Sequence, residues 1–119
     1  MRVQLAIVAG AALGAPARYL VDVALRARLG DRLPLGTLAV NLSGSAAAGL
    51  VAGLRPGALL TALLAVGFLG AFTTASTLAA ELLDRLRSGW SAAAGLLALH
   101  TGPGLVLAGA GLALGRALS

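Results

Sequence analysis

Apolar residues fall into four long blocks, residues 3–25, 35–54, 58–80 and 90–114, and most of the charge collects between them. Each block supplies the roughly 20 mostly apolar residues that a helix needs to cross the hydrocarbon core of a bilayer. The pattern predicts an all-α integral membrane protein: one domain over residues 1–119 with four transmembrane helices and no water-soluble part. The connections are polar and rich in turn residues. The first holds Arg26, Arg28, Asp31, Arg32 and Pro34, the second is Arg55-Pro56-Gly57, and the third carries Glu81, Asp84, Arg85, Arg87 and Gly89. The first block has the apolar run of a secretory leader, but Arg18 interrupts it and three more blocks follow, which favours a spanning segment.

Composition points the same way. Hydrophobic residues make up 59% of the chain and charged residues 11%, against about 25% charged in an ordinary soluble domain. A surface facing water cannot be built from so few charges. All nine basic residues are arginines, and they stand singly or in short groups between apolar blocks. That arrangement suits lipid headgroups better than a nucleic-acid face. There are no cysteines, so disulfides and thiolate metal sites are excluded. No nucleophile, base and orienting group stand at a credible spacing, so the sequence does not read as an enzyme.

Four helices enclose little interior, which makes an oligomer the expectation. Gly10 and Gly14, Gly49 and Gly53, and Gly111 and Gly115 are each four residues apart, the spacing that lets helix backbones approach closely. With 17 glycines in the chain, some such pairs also arise from composition alone. Arginine counts on the two sides of the membrane, Arg2, Arg55 and Arg116 against Arg26, Arg28, Arg32, Arg85 and Arg87, give only a weak orientation bias.

Polar groups at membrane depth are costly unless paired, so they mark candidate sites. In the first block Gly10, Gly14 and Arg18 share a face, and Arg18 either snorkels to the headgroups or is buried in a pairing. In the second, Thr37, Asn41, Gly44 and Ser45 lie along one side, with the Asn41 amide offering both donors and an acceptor. The third places Gly67, Gly70, Thr73, Thr74, Ser76 and Thr77 in mid-span. Glycine and β-branched threonine both weaken a helix, so a break is expected near the centre of this span. Irregular backbone at that depth survives only where it is buried in protein or lines a cavity. Its carbonyls would suit a hard cation, and its hydroxyls would suit an anion. In the fourth block Gly102, Pro103 and Gly104 predict a kink or local unwinding, beside a His100 best read as a hydrogen-bonded structural residue.

The run from Pro34 to Asn41 (PLGTLAVN) and the run from Gly67 to Leu78 (GFLGAFTTASTL) resemble the Fluc, or CrcB-type, fluoride channels. Gly10, Gly14, Ala17-Arg18-Tyr19, Gly44 and Glu81 extend the resemblance along nearly the whole chain. The resemblance implies an antiparallel dimer, a homodimer or a heterodimer of paralogous subunits, that lets fluoride leave the cell passively across the membrane lipid. It implies a structural, untransported Na⁺ at the dimer centre, held by carbonyls that fall here on Gly70 and Thr73. It assigns pore-lining roles to Asn41, Ser76, Thr77 and, on the fourth helix, Thr101.

The chain departs from the family where phenylalanines usually line the path: Ala75 and Leu78 stand there, and Leu97 falls at the position of a pore tyrosine. The departures favour a heterodimer in which a paralogous subunit keeps the aromatic side chains. Two other classes are weaker. A small four-span multidrug or cation transporter needs a carboxylate deep in the membrane, and Asp22, Asp31, Glu81 and Asp84 stand near span ends. A non-conducting scaffold leaves Asn41 and the hydroxyl cluster without a purpose.

Overall fold

Glycine and proline punctuation sets where the first two helices stop. In the computed structural model, which describes all 119 residues, α1 runs over Arg2–Leu29 and ends at Gly30, whose φ of 79° favours glycine. Helix α2 covers Leu35–Leu54. It ends at Arg55 in the left-handed region, φ 49° and ψ 51°, and Pro56 then prevents the helix from continuing. Helix α3 spans residues 58–72 as an α-turn (Ala58–Thr61), a π-helical stretch (Ala62–Leu69) and a last turn (Gly70–Phe72). After a two-residue interruption α4 covers Ala75–Leu86, and α5 covers Trp90–Leu118.

Four segments are long and apolar enough to cross a membrane, with α3 and α4 together forming the third. The protomer is 46 Å along its longest axis, close to the roughly 40–45 Å of a bilayer with its headgroups. The chain is a multi-pass membrane protein. Its helices run further than the hydropathy blocks, to Leu29, Leu86 and Leu118, because the charged ends continue as helix beyond the apolar core. Helix α5 stays helical through Pro103, so the expected unwinding at residues 102–104 does not occur. A proline removes one intrahelical bond. Here Ala93, Leu96, His100 and Gly104 form a continuous buried face that holds the turns on both sides.

Two helix pairs carry the packing. Helix α1 lies on the π-helical stretch of α3, where a Cβ on Gly10 or Gly14 would collide with the backbone of Leu63 or Phe68. Helix α2 lies on α5 in the same manner: Gly49 and Gly53 meet Ala108, Leu112 and Gly115, and Gly111 meets the backbone of Ala46 and Leu50. All three glycine pairs therefore serve contacts between helices of the same chain. The core is thin, with 18 of 119 residues buried and Val40 the largest fully buried side chain. Leu5, Val8, Leu13, Leu105 and Val106 point outward, as a lipid-facing surface requires.

Candidate functional site

The third span breaks where the sequence concentrates its hydroxyls. Thr73 (φ −73°, ψ 157°) and Thr74 (φ −144°, ψ 121°) are extended, with helix on either side. The preceding turn closes on Leu69, whose carbonyl accepts from both the N–H and the hydroxyl of Thr73, each at 2.9 Å. The following helix starts with Thr74 as its N-cap, its Oγ1 accepting from the Thr77 N–H at 3.2 Å. Threonine is well suited to this place because its hydroxyl satisfies a donor that a new helix leaves free.

Asn41 closes the break from α2. Its Nδ2 donates to the Thr74 carbonyl at 3.1 Å, and its Oδ1 accepts from the Thr74 N–H at 3.0 Å. The side chain thus engages both backbone groups of one residue and keeps one N–H free. It lines a shallow groove of about 450 Å³ together with Gly44, Ser45, Gly70, Thr73, Ala75 and Leu78. The methyl of Thr73 occupies the space beside Gly44 that a Cβ there would take. Both Ala75 and Leu78 face the groove, so the positions that lack an aromatic ring lie directly beside Asn41.

A second polar region lies inside the protomer. Arg18, Asp22, Gly36, Thr37, Val40, Thr74 and Thr77 line a small, partly open cavity of about 50 Å³. It adjoins a wider polar vestibule of about 380 Å³, lined by Arg26, Asp31, Arg32, Glu81, Asp84 and Arg85, with Asp22 and Gly36 common to both. Thr37 Oγ1 donates to Glu81 Oε1 at 2.7 Å, while Glu81 Oε2 is buried without a partner. Asp22 bonds Arg26 at 3.0 Å and packs against Gly36 at the start of α2. Asp22 and Glu81 thus stand near the ends of the apolar blocks, as the sequence suggests, but on continuous helix and half-buried. Arg18 turns inward onto the cavity, with no carboxylate within ion-pair distance.

Of the residues singled out by sequence, the fold gathers Asn41, Gly70 and Thr73 on the groove and Thr77 on the inner cavity. Ser76 and Thr101 are exposed on the outside of the protomer, and Thr101 lines neither the groove nor the inner cavity. His100 is buried and hydrogen-bonded to the Leu96 carbonyl at 3.1 Å, the structural role expected of it. The sequence marks Asp22 only as an acid near a span end, and its place on the cavity emerges from the fold. Its signal was the continuation of the Gly10, Gly14, Arg18 face by two further steps of four, to Asp22 and Arg26.

The family described as CrcB-like protein, Camphor Resistance (CrcB), matches residues 5–112. The fluoride-specific ion channel FluC 1 of Symbiobacterium thermophilum is 50% identical over 115 residues, covering 91% of this chain and 92% of the relative. The fluoride-specific ion channel FluC of Rhodospirillum centenum is 40% identical over 123 residues, covering 99% and 95%. The FluC 1 of Nocardia farcinica is 49% identical over 90 residues, covering 74% and 63%. With the family match over residues 5–112 and relatives 40–50% identical over more than nine-tenths of both chains, the chain belongs to the CrcB-like family.

Proposed function

We propose that the chain is one subunit of a fluoride-specific channel that lets fluoride leave the cell passively and so limits its accumulation in the cytoplasm. The observation that carries this reading is the helix break at membrane depth. Gly70, Thr73, Thr74 and Ala75 of the break line, with Asn41, a groove that the chain leaves uncovered, and one N–H of the Asn41 amide has no partner within the chain. Exposed polar groups at that depth have to face protein or water. Fluoride is strongly hydrated, so a selective path has to replace water with strong donors. Amide N–H and hydroxyl groups do so without the trapping charge of a lysine. The names borne by the relatives from Symbiobacterium and Rhodospirillum support fluoride as the permeant ion.

The same surface calls for a second subunit. Ser76 and Thr101 are exposed and polar within spanning helices, and a partner facing the groove would bring them beside Asn41. An antiparallel arrangement fits the weak arginine bias between the two sides. Ala75 and Leu78 leave the groove wide, which favours a paralogous partner with bulkier side chains over a second copy of this chain. The carbonyls of Gly70 and Thr73 stand on or beside the break as neutral oxygen donors, the ligand type that hard cations take. They would hold a structural Na⁺ shared with the partner's equivalents. When bound, such an ion supplies a fixed positive charge at the centre of the interface.

Fluoride efflux from liposomes, followed with a fluoride electrode and with chloride as control, tests the reading. The protein is reconstituted alone and then with a Fluc-like paralogue. Fluoride-selective efflux in either arm supports a channel, and the arm in which it occurs tells a homodimer from a heterodimer. A well-folded assembly that passes no fluoride in either arm overturns the proposal.

A further inference from the structure

We infer that Asn41 acts as a positioning residue for the cation cradle, in addition to lining the ion path, and that the Thr74 hydroxyl shares this task. The inference rests on the cation site proposed above. In an unbroken α-helix each N–H bonds the carbonyl four residues back. The Thr74 N–H would then take the Gly70 carbonyl, and the Thr77 N–H would take the Thr73 carbonyl. Neither bond is made. Asn41 Oδ1 accepts from the Thr74 N–H at 3.0 Å, and Thr74 Oγ1 accepts from the Thr77 N–H at 3.2 Å. Two side chains thus intercept the two donors that would otherwise consume the carbonyls of Gly70 and Thr73.

The second half of the Asn41 contact fixes the geometry. Its Nδ2 holds the Thr74 carbonyl at 3.1 Å, so the peptide planes on both sides of Thr74 are set by one planar amide. Thr73 is held independently, its hydroxyl on Leu69 and its methyl against Gly44. Side chains of Asn41, Thr73 and Thr74 therefore hold the break from both sides. Asn41 reaches the cation site through the Thr74 backbone, and any role as a fluoride donor uses its remaining N–H. The two roles are separable because they use different atoms of one carboxamide.

The test is a Na⁺ titration of thermal unfolding on the purified assembly, with N-methylglucamine replacing Na⁺. In the unmodified protein added Na⁺ raises the unfolding temperature with a defined midpoint. Asn41→Ala frees the Thr74 N–H to close on Gly70, and the midpoint rises about tenfold or more, as loss of a ligand-ordering hydrogen bond predicts. Asn41→Asp keeps an acceptor for that N–H, and its midpoint stays well below that of Asn41→Ala. Thr74→Val, which loses the acceptor for Thr77, raises the midpoint, and Thr74→Ser restores it. Should Asn41→Ala yield no folded assembly, the Val and Ser pair decides by the same comparison. Unchanged midpoints in the folded Ala and Val variants overturn the inference while leaving the cation site standing. If the unmodified protein does not respond to Na⁺, the cation site falls and this inference falls with it.

Discussion

The hydroxyl of Thr37 donates to the Glu81 carboxylate at 2.7 Å across 44 positions of sequence, joining the first turn of α2 to the helix that follows the break. The other carboxylate oxygen is buried with no partner, so Thr37 is the donor on which the burial of this acid depends. Thr37→Val keeps the side-chain shape and removes that donor. A hydrogen bond to a charged group contributes about 1.5–3 kcal/mol, and we expect a loss of that order in thermal unfolding, recovered by Thr37→Ser. A Thr37→Val protein as stable as the original would show that the carboxylate is satisfied by water from the vestibule.

The interlocked glycines of α2 and α5 lead to a different expectation. A Cβ at Gly49 would overlap the Ala108 carbonyl, and one at Gly53 would meet Gly115 and Arg116. Gly49→Leu should therefore prevent the protomer from folding instead of merely separating subunits. Gly109 has no heavy atom within 4 Å of the position a Cβ would take. Gly109→Ala should be neutral or stabilising by up to about 1 kcal/mol, the helix-propensity difference between the two residues. Size-exclusion profiles and unfolding temperatures of the two variants, measured side by side, check both halves.

These contacts show why some features could be read from the chain and others could not. The four spans follow from runs of apolar residues, and the break follows from glycines and threonines crowded into residues 67–77. Both are local properties, which a sequence carries openly. Glycines four apart reveal that something approaches closely, but not whether the neighbour is another helix of the same chain or a second subunit. The spacing of Gly10 and Gly14 was thus legible, while their engagement with Leu63 and Phe68 was not. The same limit applies to Asn41. Its place in a polar stripe was visible, but its hold on the Thr74 backbone joins positions 33 apart and needs the fold to bring them together.

Ser76 and Thr101 test whether the uncovered face is a working one. Both are exposed, but the Ser76 hydroxyl shares a hydrogen bond of 3.2 Å with Thr74 Oγ1, worth about 1 kcal/mol, whereas an exposed substitution such as one at Thr101 usually changes stability by no more than about 0.5 kcal/mol. Thr101→Ala should therefore unfold at nearly the same temperature as the original protein, and Ser76→Ala slightly below it. Fluoride efflux should nonetheless fall, because each removes a donor from the surface that a partner would face. Efflux unchanged in both variants would remove Ser76 and Thr101 from the proposed path and leave Asn41 to carry it.

Asn41→Asp separates charge from shape at the centre of the groove. The substitution keeps the acceptor for the Thr74 N–H but loses the donor to the Thr74 carbonyl and the free N–H on the groove. It also places a carboxylate where a fluoride ion has to pass. Two like charges about 4 Å apart repel by about 4 kcal/mol at an effective dielectric constant of about 20, and about 1.4 kcal/mol already corresponds to a factor of ten in rate. Fluoride flux in a conducting assembly should fall at least about tenfold by this arithmetic, with the protein still folded and still responsive to Na⁺. A variant that conducts at the original rate would place the ion path away from Asn41, leaving this residue the single task of holding the break.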